Sequence, residues 1–249
     1  MTLSADRKSE LKSEVERTFE QFKEQYSGFI QTPMRDSVQK IESLGIFVLI
    51  SAAPEEVSGF CMTIGENTFI FINKSQVVGR QNYSLWHEVY HWYTESTGLV
   101  SMSGEKDNNE IEFSADYFAS LVLIDKDYLN RRLNSMGFNK KPIKYLSYDE
   151  IIQLQHHFKV SYSAMVRKIM ELYPDSELGQ RYSLGYMVNK KKFIEKTKRL
   201  GLDLDLIFPS KNTYISSELF DILKKLLSEN KITQTKVESL LEIIEKELI

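Results

Sequence analysis

The stretch SLWHEVYHWY, residues 84–93, holds two of the four histidines of this 249-residue chain, with a glutamate directly after the first. Residues four positions apart on an α-helix lie on one face, about one turn from each other. His87 and His91 can therefore bind one ion, and imidazole nitrogen is a common zinc ligand. Glu88 is expected beside that ion, where it can accept a proton from water. The pattern predicts a zinc site; the alternative is an aromatic helix whose polar residues merely face solvent.

A third ligand is required, because a catalytic zinc has three protein ligands and one position for water. The segment NEIEFSADYFASLVLI, residues 109–124, predicts a second helix on which Glu112 and Asp116 are one turn apart. Glu112 is the expected third ligand, and Asp116 is expected to hold the free ring nitrogen of a ligating histidine. Glu110 competes, but it points about 200° around the helix from Glu112. The inward face of this helix is predicted to contain Ile111, Ala115, Phe118 and Val122.

The two segments together resemble the ImmA/IrrE family of metallo-endopeptidases. Helices of that family carry HExxH and then Glu-x-x-Ala-Asn/Asp-x-Phe-Ala, which reads here EFSADYFA from Glu112 to Ala119. The resemblance covers roughly residues 30–180, through NTFIFINKSQVVGRQNYSLWHE upstream and HHFKVSYSAMVRKI downstream. The chain departs from the family at Tyr90, where Gly is common, and at Ile124-Asp125, where Met-Pro is frequent. Neither departure removes a ligand.

The resemblance implies a zinc-dependent endopeptidase. By it, His87, His91 and Glu112 would bind Zn²⁺, and Glu88 would be the catalytic base, with Asp116 behind the ligands. The protein substrate it implies is a helix-turn-helix repressor, cut to relieve repression of a mobile element or a stress response. The fold it implies is a zincin-like metallopeptidase core of class α+β, followed by a helical C-terminal region.

Upstream of the metal helix, the sequence predicts two helices and a small, mainly antiparallel sheet. The apolar face of the first helix is expected to contain Leu11, Val15, Phe19, Phe22 and Tyr26. The second helix is expected to start at Thr32-Pro33 and to end near Gly45. The predicted strands are GIFVLI (45–50), SGFCMTI (58–64) and NTFIFIN (67–73). Gly65-Glu66 predicts a hairpin between the last two strands.

From about Asn82 the pattern is helical, except for a polar stretch from Thr94 to Asn109 that is expected to be a surface loop. Further helices are predicted at 147–158, 161–173 and 187–200, and two amphipathic helices after Pro209. We expect three parts. They are the metallopeptidase core at 1–130, a helical, helix-turn-helix-like subdomain at 131–188, and a C-terminal helical region at 189–249.

Composition limits the classes of partner. The net charge is −3 and the isoelectric point about 5.9, which does not imply a broad basic surface for nucleic acid. The single cysteine, Cys61, excludes an intrachain disulfide and fits a reducing compartment. The N-terminus lacks the apolar core of a secretory signal, and the longest apolar run is too short to span a bilayer. A cytoplasmic protein without a membrane segment is expected.

Two other interpretations stay open at the level of sequence. Residues 148–170 fit a helix-turn-helix with Arg167 and Lys168 near the end of its second helix, so a DNA-binding or partner-sequestering regulator on a non-catalytic scaffold is the alternative function. A packing subdomain is the simpler interpretation, given the acidic balance. The apolar faces of the two C-terminal helices fit either a homo-oligomer contact or packing on the same chain.

Overall fold

A five-stranded mixed sheet carries the helices, in a computed structural model that describes residues 3–96, 100–102 and 110–243. The strands are β1 (Ile46–Ser51), β2 (Val57–Ile64), β3 (Asn67–Asn73), β4 (Val100–Met102) and β5 (Tyr214–Ile215). Their order in the sheet is β4-β2-β3-β1-β5. Only β1 and β3 are parallel; the other three pairs are antiparallel. The α+β class and the mainly antiparallel sheet are confirmed.

The hairpin between β2 and β3 forms where the sequence predicts it. Gly65 has a φ of +61°, a conformation that a glycine adopts without steric cost. Cross-strand pairing runs from Gly59 opposite Ile72 to Ile64 opposite Asn67. Ile70, Ile72 and Cys61 are buried, so Cys61 serves as a small apolar core residue, as predicted.

Two short strands at the edges of the sheet were not predicted. β4 pairs with β2 and lies inside the stretch expected to be a surface loop, so that expectation is wrong for 100–102; residues 97–99 and 103–109 lie outside the described part of the chain. β5 pairs with β1 across about 165 residues of sequence. Both strands have three residues or fewer, too few to show an alternating pattern. Their pairing is therefore set by tertiary contacts.

Ten α-helices occur among the described residues. They are α1 (Ala5–Gln25), α2 (Ser37–Glu42), α3 (Val78–Tyr93), α4 (Glu110–Leu123), α5 (Lys126–Leu133), α6 (Tyr148–Phe158), α7 (Tyr162–Leu172), α8 (Lys190–Arg199), α9 (Ser217–Ser228) and α10 (Gln234–Ile243). α3 packs between the sheet and α4, and α1 packs on α4. Within this described part, none is long and apolar enough to cross a membrane.

The structure corrects three details of the helix prediction. Thr32-Pro33 does not start a helix: that peptide bond is cis and α2 begins at Ser37, after Asp36 in a left-handed conformation. Proline suits turns as well as first helical turns, so the local pattern was ambiguous. Ile111 is 39% exposed instead of inward, although Ala115, Phe118 and Val122 on the same face are buried, because it lies at the exposed N-terminal end of α4. α5 was not predicted; it begins directly after Asp125, whose side chain caps it by accepting from the Tyr128 N–H.

Candidate metal centre

Helix α3 carries the first half of the candidate site on a face that is enclosed by its neighbours. Its residues Leu85, Trp86 and Val89 are buried in the core, which fixes the rotation of the helix. The indole N–H of Trp86 donates to the hydroxyl of Ser37 at 3.0 Å, so this buried polar atom is satisfied. With the helix so fixed, His87 and His91 point to α4 and are 7% and 1% exposed.

Three side chains converge where α3 meets α4. The Nε2 atoms of His87 and His91 are 3.2 Å apart. Glu112 Oε2 lies 3.1 Å from His87 Nε2, and Glu112 Oε1 lies 3.3 Å from His91 Nε2. Two imidazole nitrogens and a carboxylate thus face one point. Among the described residues this is the group of histidine, cysteine and acidic side chains that can hold a metal ion.

The spacing of these atoms fits a tetrahedral ion. Ligand atoms bound tetrahedrally to zinc at about 2.0–2.1 Å lie about 3.3–3.4 Å from one another. The two Nε2 atoms are 3.2 Å apart, close to that value, and each lies 3.1–3.3 Å from a different oxygen of the Glu112 carboxylate. The donor set of two nitrogens and one oxygen is also one that zinc accepts, and three protein ligands leave a position for solvent or substrate.

Each histidine is held in place through its second ring nitrogen. Asp116 Oδ1 lies 3.0 Å from His87 Nδ1. The hydroxyl of Ser96 lies 3.2 Å from His91 Nδ1. Such partners fix the tautomer that leaves Nε2 free for a metal, and a carboxylate also increases the basicity of the ligand. The sequence pattern identified Asp116; it missed Ser96, whose position depends on the chain turning back after α3.

When no metal is bound, the histidine and carboxylate side chains of the cluster stabilise each other's charged forms. Burial lowers the pKa of His87, but hydrogen bonds to Asp116 and Glu112 outweigh it and raise the pKa to about 10. Burial raises the pKa of Glu112, yet hydrogen bonds from His87 and His91 hold it well below its usual value. The site therefore contains a protonated imidazole beside a carboxylate, an arrangement that a divalent cation can replace.

Glu88 is fully buried between α3 and the sheet. A Cβ atom at Gly59 of β2 would lie 3.2 Å from Glu88 Oε1 and 2.7 Å from the carbonyl oxygen of Phe71. Gly59 therefore gives the Glu88 carboxylate its room against the sheet. The sequence analysis did not single out Gly59, although a glycine inside a strand pattern indicates a close approach of this kind.

The remaining polar candidates lie elsewhere. Glu110 is half exposed and pairs with Arg7, at 2.7 Å between its Oε2 and Arg7 Nη2, so it takes no part in the cluster. The hydroxyl of Tyr93 donates to Gln25 and that of Tyr117 donates to Glu16. Tyr83, one turn before His87, donates to the backbone oxygen of Asp116 and so ties α3 to α4.

The helix-turn-helix-like segment is formed by α6 and α7. Lys159, in a left-handed conformation, ends α6, and the side chain of Ser161 caps α7. Lys168 is only 3% exposed and its ammonium group lies 3.2 Å from the hydroxyl of Ser120 on α4. Arg167 Nη1 lies 4.0 Å from Asp116 Oδ2. Lys168 thus faces the peptidase core, and α7 contacts the helix that carries Glu112.

An α+β scaffold with two histidines and a glutamate on one helix and a second glutamate on the next defines the zincin-like class of metallopeptidase folds. The family Peptidase_M78, described as the IrrE N-terminal-like domain, matches residues 41–170. That range is just over half of the chain, and the chain belongs to this peptidase family. A comparison with curated proteins gives no match.

Proposed function

We propose that this peptidase is a zinc-dependent endopeptidase with His87, His91 and Glu112 as metal ligands and Glu88 as catalytic base. The observation that carries the proposal is the convergence of two imidazole Nε2 atoms, 3.2 Å apart, on the Glu112 carboxylate, one oxygen of which lies 3.1 Å from His87 and the other 3.3 Å from His91. Structural zinc sites are usually closed by four protein ligands, often including cysteine, whereas a site with three protein ligands leaves one position for reactants. Family membership supports the same reaction class.

Different residues of the site would have different roles in hydrolysis. Zinc, when bound, supplies a Lewis acid that activates water and polarises the peptide carbonyl. Glu88 takes a proton from the attacking water and passes it to the leaving amine. Asp116 and Ser96 hold the two imidazoles in the orientation that presents Nε2. Gly59 keeps the space that the Glu88 carboxylate occupies.

Replacing Glu88 by Gln tests the assignment of the base. The change preserves shape and removes the proton acceptor, so we expect proteolysis to fall by about 10²–10⁴-fold, as for loss of a general base. Metal content, measured by elemental analysis, should stay at one ion per chain. Glu110→Gln is the matched control, because Glu110 only pairs with Arg7 at the surface. Normal cleavage by Glu88→Gln would contradict the role.

The proposed substrate is a helix-turn-helix transcriptional repressor, and the proposed location is the cytoplasm, where such a substrate occurs. This part rests on the resemblance described above and on family membership. Glu88→Gln can serve as a trap that binds the substrate without cutting it. Recovery of a repressor on the trap, and its cleavage by the unchanged chain, is the expected result. Recovery of unrelated proteins that the unchanged chain cleaves equally well would exclude repressor specificity.

DNA binding has less support. Lys168, one of the two basic residues on which that interpretation depends, is buried against α4, and Arg167 lies near Asp116. Lys168 is therefore not presented in the way that a recognition helix presents its basic side chains to a groove, which leaves Arg167 alone of the two. A mobility-shift measurement across salt concentrations distinguishes the two functions.

A further inference from the structure

A cavity of about 870 Å³ lies between α1, α4 and α7, on the Asp116 side of the metal centre. Helix α4 contributes one continuous face to it, because Phe113, Asp116, Tyr117 and Ser120 recur at spacings of three and four. The size is that of a pocket for a small organic molecule. This face of α4 also carries the carboxylate that contacts His87.

The charge of the lining is unbalanced. Its cationic side chains are Lys8, Lys12, Arg167 and Lys168, and its carboxylates are Asp116 and Glu171. Four positive groups thus face two negative ones. One of the two carboxylates, Asp116, is already engaged by His87. Among the described residues, the lining of the cavity therefore contains more cationic than anionic side chains.

The innermost cation is built into the wall of the cavity. Lys168 is only 3% exposed. Its Nζ lies 3.2 Å from Ser120 Oγ and 3.5 Å from Glu171 Oε1. Lys12 Nζ lies 3.2 Å from the same Glu171 oxygen. Two ammonium groups therefore share one carboxylate. Burial lowers the pKa of Lys168, which indicates that the surrounding negative charge does not fully offset desolvation.

The remaining walls are largely aromatic. The ammonium groups of Lys12 and Lys168 lie 5.0 and 5.2 Å from the centre of the Tyr117 ring. The ammonium group of Lys8 lies 5.9 Å from the centre of the Phe113 ring, and Tyr83 and Tyr182 are two further aromatic residues of the lining. Rings beside cations suit a ligand with a planar apolar body and an anionic group. We propose that this cavity binds a small organic anion, a carboxylate or phosphate on a body about the size of a single ring.

Such a ligand would be linked to the metal centre through two contacts, an inference that rests on the proposed function. Arg167 lies 4.0 Å from one oxygen of Asp116, and the other oxygen is 3.0 Å from His87 Nδ1. An anion that pairs with Arg167 weakens its attraction for Asp116. Asp116 then accepts more strongly from His87, whose basicity as a ligand rises. Because linkage is reciprocal, the metal-loaded chain should bind the anion more tightly than the metal-free chain.

Calorimetric titration of the full chain with phenyl phosphate and with benzoate tests the site, with benzyl alcohol as the uncharged probe. We expect saturable binding of at least one of the two anions at one per chain and none of benzyl alcohol. Lys12→Gln should weaken anion binding by about tenfold or more, since a charged hydrogen-bonding partner is lost. Lys23→Gln is the matched control, because Lys23 is also on α1 but pairs with Glu20 outside this cavity.

The outcomes are separable from those of the peptidase assay, since the isotherm requires no cleavage. Absence of saturable binding for both anions, or an equal loss in Lys12→Gln and Lys23→Gln, would overturn the anion site even if the chain is an active peptidase. Binding in metal-free protein supports the site even if zinc dependence fails. Equal affinities of metal-free and metal-loaded protein for the anion would overturn only the link through Arg167, and not the anion site itself.

Discussion

The smallest unit that explains the site is a histidine together with the side chain behind it. His87 would direct Nε2 at a metal only if Nδ1 carries the proton, and the Asp116 oxygen at 3.0 Å favours that tautomer. Ser96 does the same for His91 with a neutral hydroxyl. The two imidazoles are therefore supported unequally, because one of them has a charged partner and the other does not.

Replacing Asp116 by Asn should expose that inequality. The amide can still accept from His87, but it has no charge, so we expect the metal to bind about 10–100-fold more weakly. Competition with a chelator of known affinity measures the change. Ser96→Ala should have a smaller effect, and circular dichroism checks that both variants fold. An unaltered metal affinity in Asp116→Asn would mean that the charge of the Asp116 carboxylate does not contribute to metal binding.

The stability of the metal-free chain should depend on pH through His87. Its pKa is raised to about 10 in the folded chain, mainly by hydrogen bonds that outweigh burial, against an unfolded value of 6.5. The folded state therefore holds the proton more tightly. This contribution is complete below pH 6.5 and is lost as the pH rises through about 10. Denaturant unfolding at pH 7 and pH 10 should show the fall, and His87→Gln should reduce it. An equally steep fall in His87→Gln would assign the effect to other groups.

At the scale of elements, the position of α3 depends on the turn between α6 and α7. A Cβ atom at Gly79 would lie 2.7 Å from the carbonyl group of Val160 and the nitrogen of Ser161. These are backbone atoms and cannot rotate away as a flexible side chain can. The start of the metal helix thus rests directly on the main chain of the helix-turn-helix-like segment.

Gly79→Ala tests this contact. In an open helix, alanine would stabilise by up to about 1 kcal/mol relative to glycine. Here the overlap should reverse the sign, and we expect a destabilisation of roughly 1–3 kcal/mol, as for other overpacked positions. Chemical denaturation measures it. Gly179→Ala is the control, because a Cβ atom there meets nothing within 4 Å. A variant at residue 79 as stable as the control would mean that the turn moves aside freely.

The same contrast between local and tertiary information explains what the sequence predicted. The spacing of His87 and His91, and of Glu112 and Asp116, is local to single helices, so each pair could be placed on one helix face from the sequence, and the structure brings His87, His91 and Glu112 together. Gly59 acts through an approach between distant segments, and Ser96 reaches His91 only because the chain turns back after α3, so neither role follows from the spacing of residues on one helix. The helices with a clear apolar face were found within a few residues. The two edge strands were missed because they are too short to alternate.

At the scale of the whole molecule, the last strand of the sheet, β5, comes far along the sequence from the other four. Ser216 is 1% exposed; the Val48 N–H donates to its hydroxyl at 2.7 Å, and the hydroxyl also contacts Glu42. The Tyr214 hydroxyl donates to both oxygens of Glu42. In contrast, no residue of α9 is buried, although its leucines form one face. The attachment of α9 to the core is therefore concentrated in the residues just before it, Tyr214 and Ser216.

Two truncations should separate these roles. A chain that ends at residue 216 keeps the contacts with β1, so we expect its stability to remain near that of the full chain. A chain that ends at residue 209 loses β5 and leaves buried polar groups without partners, at about 1–3 kcal/mol for each. Thermal unfolding compares the two. Similar unfolding temperatures for both would contradict the structural role of β5.

The matched point variants are Ser216→Ala, expected to destabilise, and Ser217→Ala, expected to be nearly neutral because Ser217 is exposed. Light scattering on the chain ending at 216 also tests whether the C-terminal helices join copies of the chain. A fall in mass beyond that of the deleted residues would place an oligomer contact there.

The pairing of β5 with β1 also determines when the sheet can be completed during biosynthesis. About 165 residues separate the two partners, so the first must wait while the ribosome adds the second. At about 5–20 residues per second, that delay lasts roughly 8–30 s. During the later part of it, after residue 112 has been added, His87, Glu88, His91 and Glu112 have all been synthesised, while the edge of the sheet at β1 is still unpaired. A nascent chain can thus contain all three proposed metal ligands before the sheet beside them is complete.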